Sequence, residues 1–233
     1  MSSFYDEFGF HDDPAKRVGW YDQLNQDLKF AFVEELLASF SPNPNIVDLG
    51  CGLGDFFAFL TQRGFKGNYL GIDNDPSLLS AAKIKHPNAP FINQSFTEAP
   101  FHDAQIAVCI GGLLSTSPPT LEKMLDILGR YPAFVLIGLS TSGSSSVIFE
   151  ESFVGIPPGE KVVKLSHDEV AIVHQLRCKY SPKERLEKLI FNGEYSKESI
   201  ARAFFAIGQR DDALEHLEGC RSELADAMRS AWK

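Results

Sequence analysis

The chain has 233 residues, 44% of them hydrophobic and 23% charged, enough for one sizeable core with or without a small appendage. Its formal net charge of -9 argues against a broad electrostatic grip on nucleic acid, which needs clustered Lys and Arg, though a local basic patch stays open. The 4 cysteines (Cys51, Cys109, Cys178, Cys220) lie far apart with no CxxC pair, which disfavours a disulfide framework or zinc knuckle and fits a reducing cytoplasm.

Residues 1–22 are polar and aromatic with no period. Met1–Phe10 lacks the basic and apolar regions of a secretory leader, and no apolar run nears the roughly 20 residues that span a bilayer, so a cytoplasmic location is expected. From Gln23 to Phe40 the apolar positions Leu24, Leu28, Phe32, Leu36 and Phe40 recur every fourth residue, which predicts an amphipathic helix stopped by Pro42 and Pro44. Short apolar runs then alternate with helical patterns. Strands are predicted at Asn45–Leu49, Tyr69–Ile72, Phe91–Asn93, Ile106–Ile110 and Phe134–Leu139. Helices are predicted at Asp55–Arg63, after an Asp75 cap with Pro76 in the first position, and at Thr120–Arg130. This alternation means βαβ units: an α/β fold with a doubly wound, mostly parallel sheet of about seven strands.

Ser140–Ser146 is nearly all Ser, Thr and Gly and reads as a connection or loop. Val147–Phe153, Lys161–Leu165 and Val170–Leu176 are further strand candidates, the first two separated by a turn at Pro157-Pro158-Gly159. The remainder is helical: a helix capped by Ser181, another from Ser196 to Gly208, and a last one from about Asp211 to the end. The division expected is an N-terminal segment and helix over 1–44, a ligand-binding α/β domain over 45–180 and a C-terminal helical segment over 181–233.

The strongest local signal is Asp48-Leu49-Gly50-Cys51-Gly52-Leu53-Gly54-Asp55, a glycine-rich turn from strand to helix. Glycines there let a ligand approach the backbone, and the helix N-terminus offers unpaired N–H groups. A tight turn with incidental glycines is one reading. A dinucleotide fingerprint is another, but it wants Gly or Ala where Asp55 stands. The third is an acidic residue two places before G-x-G-x-G. Further on, Asp73 ends the neighbouring strand, where a carboxylate can accept hydrogen bonds from both hydroxyls of a ribose. Its alternative reading as a helix cap is weaker because Asp75 is better placed.

Residues 46–110 resemble the cofactor half of class I S-adenosylmethionine-dependent methyltransferases. The resemblance implies an enzyme with S-adenosyl-L-methionine as cofactor. It sets the loop of Gly50, Cys51, Gly52 and Gly54 along the methionine and ribose portions, with Asp48 near the amino-acid moiety and Asp73 on the ribose. Asn74 would flank the adenine or serve as a turn residue. Ser95 stands where many relatives place an acidic residue for the adenine amino group and would accept that bond more weakly, and Phe96 would pack on the ring; a structural role suits either residue equally. Ile110 and Gly111 would border the methionine chain; the pair Gly111-Gly112 also suits a simple turn.

Methyl transfer from a sulfonium is an in-line displacement, and a base is needed only if the acceptor must lose a proton. No catalytic residue is assigned. There is no Asn/Asp-Pro-Pro-Tyr/Phe motif, and Cys51 and Cys109 suit small buried apolar positions. Trp20 and Tyr21 suit an aromatic lid or ordinary packing, and His167 with Asp168 suits acid–base chemistry or a turn. His11, Asp12 and Asp13 read better as a solvated acidic terminus than as metal ligands, so no metal is expected. Val18-Gly19-Trp20 before a helix loosely resembles small bacterial methyltransferases without naming an acceptor. Gly208 and Ala213 carry a likeness to the middle of one tetratricopeptide repeat, too little for a solenoid; an αα-hairpin packed on the protein itself is favoured over a homodimer or partner surface. A small-molecule substrate is the leading expectation. A non-catalytic cofactor-binding module and a protein or RNA methyltransferase are the alternatives.

Overall fold

Apolar strands buried on both faces and joined by helices dictate a covered parallel sheet. The structure, a computed structural model, describes residues 14–17, 20–95, 103–111, 118–140, 147–148, 160–166 and 169–232. In chain order its elements are α1 (Pro14–Arg17), α2 (Gln23–Phe40), β1 (Ile46–Leu49), α3 (Asp55–Gln62), β2 (Tyr69–Asp73), α4 (Pro76–Lys85), β3 (Phe91–Asn93), β4 (Ile106–Ile110) and α5 (Pro118–Leu128). There follow β5 (Ala133–Ser140), β6 (Val147–Ile148), β7 (Glu160–Lys164), β8 (Glu169–His174), α6 (Pro182–Asn192), α7 (Lys197–Ala206), α8 (Arg210–His216) and α9 (Glu223–Ala231). The described residues fall into two compact units, one within 32–164 and 168–178, the other within 1–31, 165–167 and 179–233.

The first unit holds the sheet, ordered β3-β2-β1-β4-β5-β8-β7, with β6 beside β5. The strands β3, β2, β1, β4 and β5 run parallel, and β8 returns antiparallel to β5 with β7 antiparallel to β8. This is the doubly wound, mostly parallel architecture expected. Its core includes Val47, Leu49, Ile72, Cys109, Phe134 and Leu136 of the sheet and Met124, Leu125 and Leu128 of α5. Because crossover helices return the chain to the same starting edge, the carboxyl ends of β1, β2, β3 and β4 open together. Asp75 caps α4 by accepting hydrogen bonds from the N–H groups of Ser77 and Leu78, with Pro76 in the first turn.

The second unit is helical. Ser181 and Glu184 form a reciprocal capping box at the start of α6. Ala201, Leu217, Ala225 and Met228, with Cys220 and Trp232 against them, make a small core shared by α7, the end of α8 and α9. The single last helix expected from Asp211 onward is two helices. Gly219 breaks it with φ 76°, Ser222 caps the restart by accepting from the N–H of Ala225, and Arg229 donates to the carbonyl of Cys220 and to that of Leu217, which also accepts the Cys220 N–H. Ser140 belongs to β5, and α5 begins at Pro118. Of the strand expected over Val147–Phe153, Val147–Ile148 is strand and the rest lies outside the described residues. Among the described residues no helix is long and apolar enough to cross a membrane.

Candidate functional site

The glycine turn leaves β1 and enters α3 at the carboxyl edge of the sheet. Gly50, Gly52 and Gly54 adopt φ of 83°, 52° and 74°, a region closed to most side chains, so the path of this loop requires them. The loop is pinned to β2. The N–H groups of Gly50 and Cys51 donate to the Ile72 carbonyl at 2.8 and 3.1 Å, Gly52 N–H donates to Asp73 Oδ2 at 2.8 Å, and Gly54 N–H turns back to the Cys51 carbonyl at 3.0 Å. These four N–H groups are thus engaged by the protein itself.

Asp73 is the hub of this edge. Its second oxygen, Oδ1, accepts the N–H of Asp75 at 2.9 Å, and its backbone carbonyl accepts the N–H of Gln94 at 2.9 Å and the side-chain amide of Asn93 at 3.2 Å. One residue therefore joins the glycine loop, the exit of β2 and the exit of β3. Asp73 is 7% exposed, and burial raises its pKa against the lowering effect of the N–H groups of Asp75 and Gly52.

Asp48 lies within β1, 2% exposed, and its Oδ2 accepts the Tyr69 hydroxyl at 2.6 Å across the sheet. Desolvation pushes the Asp48 carboxyl up to about 7, the Tyr69 hydrogen bond opposes the rise, and the charge of Asp73 adds to it. Sequence reasoning missed Tyr69. The signal was there: a buried Tyr hydroxyl needs a polar partner, and Asp48 is the polar residue on the adjoining strand. Burial pushes the Cys51 thiol far up, with Asp48 and Asp73 reinforcing the effect, so Cys51 is an inert, small buried side chain.

Beneath the loop lies an aromatic cluster. Phe57 and Tyr69 rings meet at 5.0 Å, Phe57 and His86 at 5.7 Å, and Tyr69 and Phe91 at 6.2 Å. Phe91 fills the space that side chains would take at two glycines. A Cβ on Gly54 would stand 2.7 Å from Phe91 Cζ and 3.0 Å from His86 Cδ2, and one on Gly71 would stand 2.6 Å from Phe91 Cδ1. Gly54 is therefore bare for packing. Gly54 is buried, whereas Gly50 and Gly52 remain partly exposed.

Other expected residues group with this edge or fall outside the description. Asn74 is exposed directly after Asp73, and Ser95 is partly buried past β3; Phe96 lies outside the described residues. Ile110 and Gly111 close β4. Gly111 N–H donates to the Ile137 carbonyl at 3.1 Å, and Gly138 approaches it so closely that a Cβ there would lie 3.2 Å from Gly111 Cα. His11, Asp12, Asp13, Gly112, His167 and Asp168 lie outside the described residues. Tyr21, 62% exposed, carries the Arg202 guanidinium 4.1 Å from its ring centroid, while Asp22 pairs with that arginine at 2.7 Å.

The electrostatics select among ligands. A pyrophosphate needs free N–H groups and is disfavoured by a carboxylate buried against the loop that would hold it. Here the loop N–H groups are bonded within the protein, and two buried carboxylates stand beside them. The groups acting on Asp48 are Tyr69 and Asp73, neither of them cationic. A ligand with a positive sulfonium and ammonium and two ribose hydroxyls fits this chemistry; a dinucleotide diphosphate does not.

The comparisons agree. Residues 46–131 match the family described as a methyltransferase domain. An uncharacterized methyltransferase of Mycobacterium sp. (strain KMS) is 28% identical over 117 residues, 48% of this chain and 44% of that protein. The chain thus spans under half the length of this relative. A carboxy-S-adenosyl-L-methionine synthase of Campylobacter jejuni is 24% identical over 207 residues, 77% of this chain and 83% of that protein. The crystal structure of magnesium protoporphyrin IX methyltransferase from Synechocystis PCC 6803 with bound SAM shares the fold at a TM-score of 0.50 and 15% identity, covering 75% of this chain and 86% of that one. Residues 46–131 thus match a methyltransferase domain, and the chain shares its fold with an S-adenosylmethionine-dependent methyltransferase.

Proposed function

We propose that the protein transfers a methyl group from S-adenosylmethionine to a small molecule, holding the cofactor between the glycine loop and Asp73. The observation that carries this reading is the 2.8 Å bond from Gly52 N–H to Asp73 Oδ2, which sets a carboxylate and a glycine backbone side by side at the carboxyl edge of the sheet. A carboxylate has about four lone-pair sites, so Asp73 keeps capacity for ribose hydroxyls after its backbone bonds. Asp48 would face the methionine end, Gly50, Cys51 and Gly52 would line it, and Ile110 and Gly111 would border it from β4. Asn74 and Ser95, with Phe96 beyond, would flank the adenine. When bound, the cofactor supplies an activated methyl with its leaving group in place; these residues supply orientation and exclusion of water.

A small acceptor accords with the net charge of -9, which gives no broad grip on nucleic acid. The Campylobacter relative favours a second reading, in which the cofactor itself is the molecule modified. Calorimetry with S-adenosylmethionine and its demethylated product tests the site. Micromolar-range binding is expected, and Asp73→Ala weakens it about tenfold or more, about 1.4 kcal/mol; binding of neither nucleoside defeats the reading. Methyl-labelled cofactor incubated with cell extract and sorted by size then tests the acceptor. Label in small metabolites supports the first reading, label in macromolecules contradicts it, and a carboxylated cofactor in the mass spectrum establishes the second.

A further inference from the structure

Asp48 is a carboxylate placed where a carboxylate is costly. It is 2% exposed, and its register neighbours are Gly71 on β2, with no side chain, and apolar Val108 on β4. The titratable groups around it are Tyr69 and Asp73 of β2 and Cys51 of the loop, with Asp55 of α3 acting on Tyr69. Farther out, α4 brings His86 against Phe57 and pairs Lys85 with Asp55, but the groups acting on Asp48 itself, Tyr69 and Asp73, include no cation. The Tyr69 hydroxyl, 2.6 Å from Oδ2, is the one hydrogen-bond donor to the Asp48 side chain among the described residues. Tyr69 is itself held: its ring packs between Phe57 and Phe91, and it is 5% exposed, so the hydroxyl has little freedom to point elsewhere.

We propose that Tyr69 is a positioning residue for the cofactor: its hydroxyl orients the Asp48 carboxylate and favours the ionised form that meets the cationic methionine end. This rests on the cofactor site argued above and adds a residue to it. Hydrogen bonding to the charged form of an acid favours that form, while burial and the charge of Asp73 oppose it. The balance leaves the free protein with both forms of Asp48 populated near neutrality. A cation binds the ionised form, so binding takes up only the competent fraction of molecules. Affinity is then full at high pH and falls as pH drops through the titration, by about tenfold per unit below it. Removing the hydroxyl moves that titration upward.

The test is calorimetry with the demethylated product of the cofactor across about pH 5.5 to 9, on wild type, Tyr69→Phe and Asp48→Asn, each checked for a cooperative melt. The ligand's own ionisation is common to all three proteins, so their ratios isolate the protein's. The Tyr69→Phe midpoint is expected to lie higher than wild type by about one pH unit or more, the scale set by a hydrogen bond to a charged group. For a one-unit shift its binding is then about fivefold weaker at the wild-type midpoint, about tenfold weaker below it, and recovers near pH 9. Asp48→Asn loses the slope. A Tyr69→Phe to wild-type ratio that stays constant across pH overturns the inference, because a merely structural hydroxyl weakens binding equally at every pH. Should Tyr69→Phe not fold, Asp48→Asn decides: a slope equal to that of wild type overturns the inference, and a flat profile supports it. Wild type that binds at no pH overturns the cofactor reading itself, a result distinct from these.

Discussion

Three glycines in the sheet unit separate backbone strain from crowding, and alanine at each yields a graded result. Gly64, after α3, has φ 88° and no atom within 4 Å of an added Cβ. Alanine there costs only the left-handed backbone, about 1 kcal/mol after the entropy that alanine removes from the unfolded chain. Gly71 has no positive φ, but its Cβ would stand 2.6 Å from Phe91 Cδ1 and 2.9 Å from Cys51 Sγ. Alanine there costs overpacking, about 1–3 kcal/mol. Gly54 combines φ 74° with a Cβ 2.7 Å from Phe91 Cζ. Alanine there carries both costs, about 2–4 kcal/mol, a large share of a total stability on the order of 5–15 kcal/mol.

Phe91→Leu tells which part is crowding. Phe91 meets Gly54 with its far carbons Cζ and Cε1, whereas at Gly71 its closest atom is the near carbon Cδ1, which leucine also has, with Cε1 and Cys51 Sγ next. In the Phe91→Leu background the cost of Gly54→Ala should fall toward that of Gly64→Ala, with the His86 Cδ2 contact left, a coupling of up to about 1–3 kcal/mol, while Gly71→Ala, still facing Cδ1 and Cys51 Sγ, should be relieved less. Urea denaturation without cofactor reads these differences, provided the slope m stays constant. If Gly54→Ala leaves stability untouched and weakens only cofactor binding, that glycine serves the ligand and the packing account is wrong.

Other perturbations reach different parts of the molecule. Asp48 titrates near 7 in the folded protein against an ordinary 3.8, so its contribution to stability is present below about pH 4 and lost as pH rises to about 7. That contribution is about 4 kcal/mol at most, and stability curves of ligand-free wild type and Asp48→Asn measured from acid to neutral pH should diverge accordingly; parallel curves would show that the carboxyl is not desolvated. Arg229→Ala removes the two donors that reach the Leu217 and Cys220 carbonyls and should cost about 1–2 kcal/mol. A thermal melt of that variant indistinguishable from wild type would mean that water satisfies the break between α8 and α9 equally well. Asp73→Ala and Tyr69→Phe, set out above, address the cofactor itself.

What could be read from the sequence was local. The Gly50–Gly54 spacing, the Asp75 cap with Pro76 and the apolar strands each depend on residues a few positions apart, and the structure places them as read. The Tyr69–Asp48 bond spans 21 residues and depends on the register of β2 against β1, which no local pattern encodes. The same holds for Phe91 beneath Gly54 and Gly71. The direction of β8 was equally hidden, because an apolar strand reads the same whether its partner runs parallel or antiparallel. The last helix misled for another reason. Leu217, Leu224 and Met228 continue the helical spacing through the break, although Gly219 and Ser222 are both residues that punctuate helices.

Under the proposed cofactor site, the cost of burying two acids has a physical rationale. A lysine beside Asp48 and Asp73 would satisfy both carboxylates and stabilise the empty protein, but it would occupy the position a cationic ligand has to take. Tyr69 offers a compromise, since a neutral donor can hold a carboxylate without cancelling its charge. On that proposal, two buried acids with hydrogen bonds but no counter-ion among the described residues would offset part of their cost when empty by binding a sulfonium and ammonium.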